Sequence, residues 1–260
     1  MIYIKKENEI ELMRKGGKVL GLILKQLEKE AVSGVTARQL DKISRDLCKE
    51  HGVTPAFLNY KPAGAPRPFP ASLCVSINDQ IVHGIPTDSV LRDGDMVSLD
   101  MGIIYKKFIL DSATTIVVGG LDKTDVTAHT LLSACQIALE AGIAVCKLGV
   151  TTGDIGHAIE QAMKGSSKGY VFEFAEHLGG HGVGYKVHED PYIPNYGKAG
   201  QGPKLKAGMV IAIEPILNEG KGTISVDTDG FTYKTTDGKR SCHFEHTVVI
   251  TETGAEILTA

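Results

Sequence analysis

Three apolar runs in this chain each carry a carboxylate. They are Met96-Val97-Ser98-Leu99-Asp100-Met101, Val210-Ile211-Ala212-Ile213-Glu214-Pro215-Ile216 and Phe244-Glu245-His246-Thr247-Val248-Val249-Ile250. Such runs read as buried strands, and an unpaired carboxylate inside one costs so much that it neutralises or finds a cation. Asp111, in Leu110-Asp111-Ser112-Ala113, and His181, among the glycines of Gly179-Gly180-His181-Gly182-Val183-Gly184, stand in comparable settings. Four acids and one imidazole so placed have the composition of a two-metal hydrolytic site. A divalent ion, or a pair, is the simplest reason for the acids to be there. The chain must then fold so that five separated segments meet.

A near-repeat indicates how. Gly34-Val35-Thr36-Ala37-Arg38-Gln39-Leu40 opens a helical pattern, and Gly149-Val150-Thr151-Thr152-Gly153-Asp154-Ile155 opens another. Each offers a threonine as N-cap, with Asp154 competing in the second. Leu91-Arg92-Asp93-Gly94-Asp95-Met96-Val97 leads to Asp100, and Leu205-Lys206-Ala207-Gly208-Met209-Val210 leads to Glu214, at an offset near 114 residues. Two echoes at one offset imply two halves of related design building a single core. Amphipathic helices are expected over about residues 7–30, with Ile10, Met13, Leu20, Ile23, Leu24 and Leu27 on one side, and over about 123–147. Lys61–Pro70, with four prolines, and Asn195–Pro203 read as loops. With no linker between the halves, one compact α+β unit over residues 1–260 is expected.

Segment 101–110 has strand character at both ends. If it folds back over Ile104–Lys107, Asp100 lies directly opposite Asp111, with Cβ atoms about 5 Å apart. The bend lacks Gly or Asn, so a tight two-residue turn is not expected. The other reading of this pair is a surface hairpin with solvated acids. His181 could instead be a packed loop histidine or part of a phosphate loop, although G-x-G-x-x-G and a P-loop lysine are both missing. Glu214 and Glu245 could face water from edge strands, and Glu214-Pro215 fits an edge because proline donates no ladder bond. Singly each is ambiguous; five together favour a metal centre. Oxygen-rich donors with one nitrogen suit Mn, Fe, Co or Zn as catalytic ions and argue against a structural zinc. His83 and His188 could donate to a carbonyl or developing oxyanion, or could be surface histidines. Gly165-Ser166-Ser167-Lys168-Gly169 matches G-x-S-x-G but follows a helix, so it reads as a polar loop. An H-E-x-x-H helix is lacking.

Composition narrows the class. Net charge is −3 without a clustered basic patch, which disfavours nucleic acid and anionic membrane as partners. Five cysteines without a C-x-x-C pair favour reduced thiols, and the charged start lacks a signal-peptide pattern. A cytoplasmic monomer is expected.

Taken together, these segments resemble the type I methionine aminopeptidases over essentially the whole chain. The resemblance is carried by Ser76-Ile77-Asn78, His83-Gly84-Ile85-Pro86, Asp93-Gly94-Asp95 through Asp100, Asp111-Ser112-Ala113-Thr114, Gly180–Gly184 with His188-Glu189-Asp190-Pro191, Ile213-Glu214-Pro215 and Phe244-Glu245-His246-Thr247. It implies the pita-bread α+β fold with internal pseudo-two-fold symmetry. It implies that Asp100, Asp111, His181, Glu214 and Glu245 bind two divalent ions, an arrangement aminopeptidases share with other two-metal hydrolases. Glu214 would also shuttle the proton of the attacking water, and His83 and His188 would contact substrate and stabilise the tetrahedral intermediate. Tyr60, Phe69, Cys74 and Phe231 would line the side-chain pocket. A monovalent cation near Asn78 and Ser241 is a further implication. The reaction implied is removal of the initiator methionine from nascent polypeptides with a small second residue, the ribosome being at most a transient partner. The short His181–Glu214 interval resembles type I, and a start without a zinc-binding or ribosome-docking extension resembles the bacterial form.

Four departures from the family pattern, at Leu110, Val187, Phe231 and the proline-rich insertion Ala63–Pro68, are expected to touch the pocket walls and to bear on methionine selectivity. A proline-directed peptidase on the same fold would be expected to carry a further N-terminal domain. A non-catalytic binding relative would be expected to have lost ligands, and this chain keeps all five.

Overall fold

The computed structural model describes residues 1–260 except positions 63 and 66. Helix α1 (Glu7–Glu30) buries the stripe from Ile10 to Leu27 read from the sequence. Helix α2 (Ala37–Glu50) starts at Thr36, whose hydroxyl accepts from Gln39 N while the Gln39 side chain accepts from Thr36 N. Helix α3 (Val126–Ala144) is shorter at both ends than the periodicity predicts, starting at the Asp125 cap. Helix α4 (Thr152–Ser166) repeats the reciprocal cap with Thr151 and Asp154. Asp154 is therefore the partner of the threonine cap, not its rival.

The strands that matter for the site are β1 (Cys74–Ile77), β2 (Met96–Tyr105), β3 (Phe108–Val117), β4 (Gly180–Gly182), β5 (Glu189–Ile193), β6 (Val210–Ile213), β7 (Ile216–Asn218), β8 (Ser241–His243) and β9 (Glu245–Ile250). Among the described residues one nine-stranded antiparallel sheet dominates, with β2, β3, β9, β6, β4 and β5 side by side in that order. The near-repeat is visible in the backbone. Leu91 N donates to Val35 O (2.8 Å) and Gly34 N to Leu91 O (2.9 Å); Leu205 N donates to Val150 O (2.7 Å) and Gly149 N to Leu205 O (3.1 Å). The same two-bond clasp thus ties helix start to strand approach in both halves.

One sheet face carries the helices. Leu99, Met101, Ile103, Phe108 and Leu110 pack with the apolar stripe of α1, and Ile211, Ile213, Val248 and Ile250 pack with residues of α3 and α4. Helix α1 reaches the chain's last strand region because Gly17 has no side chain: a Cβ there would lie 2.1 Å from Leu258 O. Strand alternation then commits every second residue to the opposite face.

The β2–β3 hairpin corrects two expectations. Its turn is a tight two-residue one at Lys106-Lys107, with Tyr105 opposite Phe108 and Lys106 at φ +60°. A left-handed lysine costs about 1 kcal/mol, and the ten-row ladder behind it outweighs that. Because the turn lies one residue later than expected, Asp100 pairs with Ala113, and Asp111 with Gly102. The two acids share a face diagonally, not directly opposite each other. The edge-strand reading of Glu214 also fails: β6 lies between β9 and β4, and Pro215 falls after the strand, where the sheet breaks before β7. Of the proline-rich insertion, Ala63 and Pro66 lie outside the described residues.

Candidate active site

The sheet register collects the acids without further assumption. Ala113 is opposite Asp100 on one side and Glu245 on the other. Ala212 is opposite Thr247 on one side and His181 on the other. Period two places Asp100, Asp111, Ala113, Glu245, Thr247, Ala212 and His181 on one face, and Glu214 follows two residues after Ala212. The alanines form a low floor, and the ionisable groups rise around it from five neighbouring strands or strand ends. Thr247 takes over the ladder bonds to Asp111, accepting from its N–H (3.0 Å) and donating to its carbonyl (2.7 Å). Asn195 Nδ2 donates to Glu214 O (2.9 Å), holding the backbone where β6 ends.

His181 lies in a short strand rather than a loop, and its glycines serve close approach. A Cβ at Gly180 would sit 2.2 Å from Ala212 O, and one at Gly182 would sit 2.2 Å from Asp190 O. The imidazole lies with its Nδ1 2.9 Å from Gly182 O. Since a carbonyl only accepts, the proton is on Nδ1 and the Nε2 lone pair faces the acids, 3.4 Å from Glu214 Oε1.

The electrostatics are severe. Asp100, Asp111 and Glu245 are buried, and Glu214 is largely so. Burial first, then the neighbouring carboxylates, push Asp100 and Glu245 well above the usual carboxylate range. Burial and then the Glu214 charge raise Asp111 to about 8, and burial raises Glu214 to about 8. Burial lowers His181 to about 3 and His83 to about 4, so both imidazoles are neutral at pH 7. No lysine or arginine is found among the described residues lining the cavity. Asp111 Oδ1 and Glu245 Oε1 are buried without a hydrogen-bond partner, and donor atoms of Asp111, His181 and Glu245 lie within 4.8 Å of one another. Anionic oxygens, a deprotonated imidazole nitrogen and no protein counter-charge fit a hard-to-borderline divalent cation.

The cavity continues into an apolar end lined by Phe57, Tyr60, Phe69, Cys74, Val187 and Phe231. Phe69 and Phe231 meet edge to face at 5.4 Å, and the Arg67 guanidinium covers Phe231 at 5.2 Å. His83, at φ +57°, and His188 stand at the junction between the two ends. The His188 ring packs 4.5 Å from that of His181, and its Nδ1 lies 3.3 Å from Tyr60 Oη. The five metal-ligand candidates, His83, His188, Tyr60, Phe69, Cys74 and Phe231 therefore line one cavity, whereas Asn78 and Ser241 lie outside its lining. Leu110 does not line it either: it faces α1, on the other side of the sheet, so this departure leaves the pocket wall untouched. The residues missed were Phe57, in the apolar end, and His243, buried in the same cavity with Nε2 3.4 Å from Glu214 Oε2. The position of His243 two residues before Glu245, between Cys242 and Phe244, was the available signal.

Comparison with known proteins identifies the family. The model of metallopeptidase family M24 matches residues 11–252. A methionine aminopeptidase of Clostridium perfringens is 42% identical over 259 residues, covering 100% of this chain and 99% of that protein. The crystal structure of a methionine aminopeptidase from Thermotoga maritima superposes with a TM-score of 0.91 at 40% identity, covering 100% of this chain and 99% of that one. A prolidase from Pyrococcus furiosus shares the fold at a TM-score of 0.75 and 25% identity, but this chain covers only 65% of it. The match to the aminopeptidases spans both proteins end to end, whereas the match to the prolidase does not. This chain belongs to metallopeptidase family M24, among the methionine aminopeptidases.

Proposed function

We propose that the chain releases the N-terminal methionine of polypeptides whose second residue is small, and that nascent chains are its substrates. The observation that carries this reading is the meeting of an acid-rich, counter-charge-free cluster with an apolar pocket in one cavity. Asp100, Asp111, His181, Glu214 and Glu245 hold two divalent ions, drawn from Mn, Fe, Co or Zn. Bound there, such ions supply Lewis acidity and make water nucleophilic near neutral pH. Phe69, Phe231, Cys74, Val187 and Tyr60 take the methionine side chain, excluding water and fixing the scissile bond above the acids. His83 and His188, neutral and therefore able to donate one N–H each, stabilise the negative charge that develops on the carbonyl oxygen. Glu214 accepts the proton of the attacking water and passes it to the departing amine.

A cytoplasmic setting and a monomeric state accompany this proposal, with the ribosome at most a transient partner and a monovalent cation near Asn78 and Ser241. Among the described residues, no helix is long and apolar enough to cross a membrane. The test is hydrolysis of Met-Ala-Ser. Methionine is released only when a divalent ion is present, and Glu214→Ala abolishes turnover. Full activity after exhaustive chelation refutes the reading.

A further inference from the structure

His243 is 2% exposed, and neither ring nitrogen has a hydrogen-bond partner. Burying an unpaired polar atom is costly, so this imidazole needs a reason to be there. It is not a loosely placed ring. The His243 N–H donates to Thr115 Oγ1 (2.9 Å), and the Thr115 hydroxyl donates back to His243 O (2.7 Å). Thr115 is in turn held by Ser98, with the two hydroxyl oxygens 2.7 Å apart. This buried clamp links β2, β3 and β8 and fixes the backbone from which the ring projects. The ring meets the acid cluster at Glu214, where Nε2 is 3.4 Å from Oε2, while the other carboxylate oxygen, Oε1, faces His181 Nε2 at 3.4 Å. Glu214 follows the end of β6 and is the one proposed ligand outside a strand, so its side chain has the least backbone restraint.

We infer that His243 is a positioning residue for Glu214: with its proton on Nε2 it closes the 3.4 Å approach to Oε2 into a hydrogen bond in the working enzyme, which holds the carboxylate in the orientation needed for proton transfer and leaves Oε1 to the metal centre. A neutral imidazole has one donor and one acceptor, so one nitrogen suffices for Glu214. The inference rests on the role proposed above for Glu214. A freely rotating carboxylate would still bind cation but would present its accepting oxygen to the water only part of the time.

The experiment compares the parent with His243→Ala and His243→Gln. Calorimetric titration with Mn gives stoichiometry and affinity, and Met-Ala-Ser hydrolysis gives kcat and KM across pH. The expected result for His243→Ala is unchanged metal stoichiometry, KM within about threefold, and kcat lowered roughly 10–100-fold, the usual range for a residue supporting a metal ligand. His243→Gln restores an N–H donor and is expected to recover kcat to within about tenfold of the parent. Unchanged kcat in His243→Ala overturns the inference. So does loss of a bound metal equivalent, which would make His243 a ligand, or a rise in KM alone, which would make it a substrate contact. An inactive parent refutes the functional reading and the inference with it; an active parent with an indifferent alanine variant refutes the inference only.

Discussion

The acid cluster should make the metal-free protein fight its own fold, and Asp111 allows the effect to be sized. Its carboxyl is raised from an ordinary 3.8 to about 8 by burial and by Glu214. Between those values the unfolded chain has released a proton that the folded chain still holds. Stability therefore falls as pH rises from about 4 to about 8, and the loss is complete once pH passes the folded value. At about 1.4 kcal/mol per pH unit, keeping this proton costs on the order of 4 kcal/mol at pH 7. Water entering an opened cavity relieves part of that, leaving about 2 kcal/mol for a neutral replacement to recover. Asp111→Asn has nearly the same shape and no proton to hold. In chelator at pH 7.5 it should melt about 5 °C above the parent, taking ~2–4 °C per kcal/mol for a chain of this size. At pH 4, close to the ordinary value of 3.8, the two should melt nearly together, because the carboxyl is protonated in the folded chain and only partly ionised in the unfolded one. Adding Mn should reverse the order, since the parent gains a bound ion and the variant has lost a ligand. Scanning calorimetry of the pair, with chelator and with Mn, at both pH values makes the comparison; titrating groups outside the cluster cancel in the difference, while Asp100 and Glu245, which Asp111 helps to raise, add to the variant's gain. A metal-free Asn variant that is no more stable than the parent at pH 7.5 would refute the electrostatic account of the site.

Two further outcomes follow from packing. Lys5 and Glu189 form a buried ion pair at 2.6 Å with side chains 1% and 0% exposed, and Glu189 also accepts from Tyr185 N and Lys186 N in the loop leading to His188. Lys5→Met should destabilise by about 3–5 kcal/mol by leaving a buried acid without its cation, visible as a drop in Tm; a change under about 1 kcal/mol would show that the pair is dispensable. Phe231→Ala removes the edge-to-face partner of Phe69 from the apolar end of the cavity. It should lower kcat/KM for methionine peptides about 10–100-fold while metal stoichiometry measured by calorimetry stays unchanged; equal loss of bound metal would place Phe231 elsewhere in the economy of the site.

Much of this protein is written locally. The carboxylates of Asp100, Glu214 and Glu245 betray themselves because an acid in an apolar run has no cheap explanation, and helix α1 is read residue for residue from its stripe because a 3.6 period needs no partner to be recognised. The near-repeat is equally local, since Thr36 and Thr151 cap their helices through neighbours three residues away. What local pattern leaves open is register and orientation. Where Asp111 falls relative to Asp100 depends on whether Lys106 accepts a left-handed φ, and the ladder of β2 and β3, not the identity of Lys106, decides that. Leu110 looked like a pocket wall beside Asp111, yet strand alternation turns it toward α1. His243 resembled any histidine between apolar neighbours until Thr115, 128 residues away in the chain, clamped its backbone and aimed the ring at Glu214. Side-chain chemistry announces that a cation is wanted; only the antiparallel order of β2, β3, β9, β6 and β4, set by long-range hydrogen bonds, determines which atoms can meet around it.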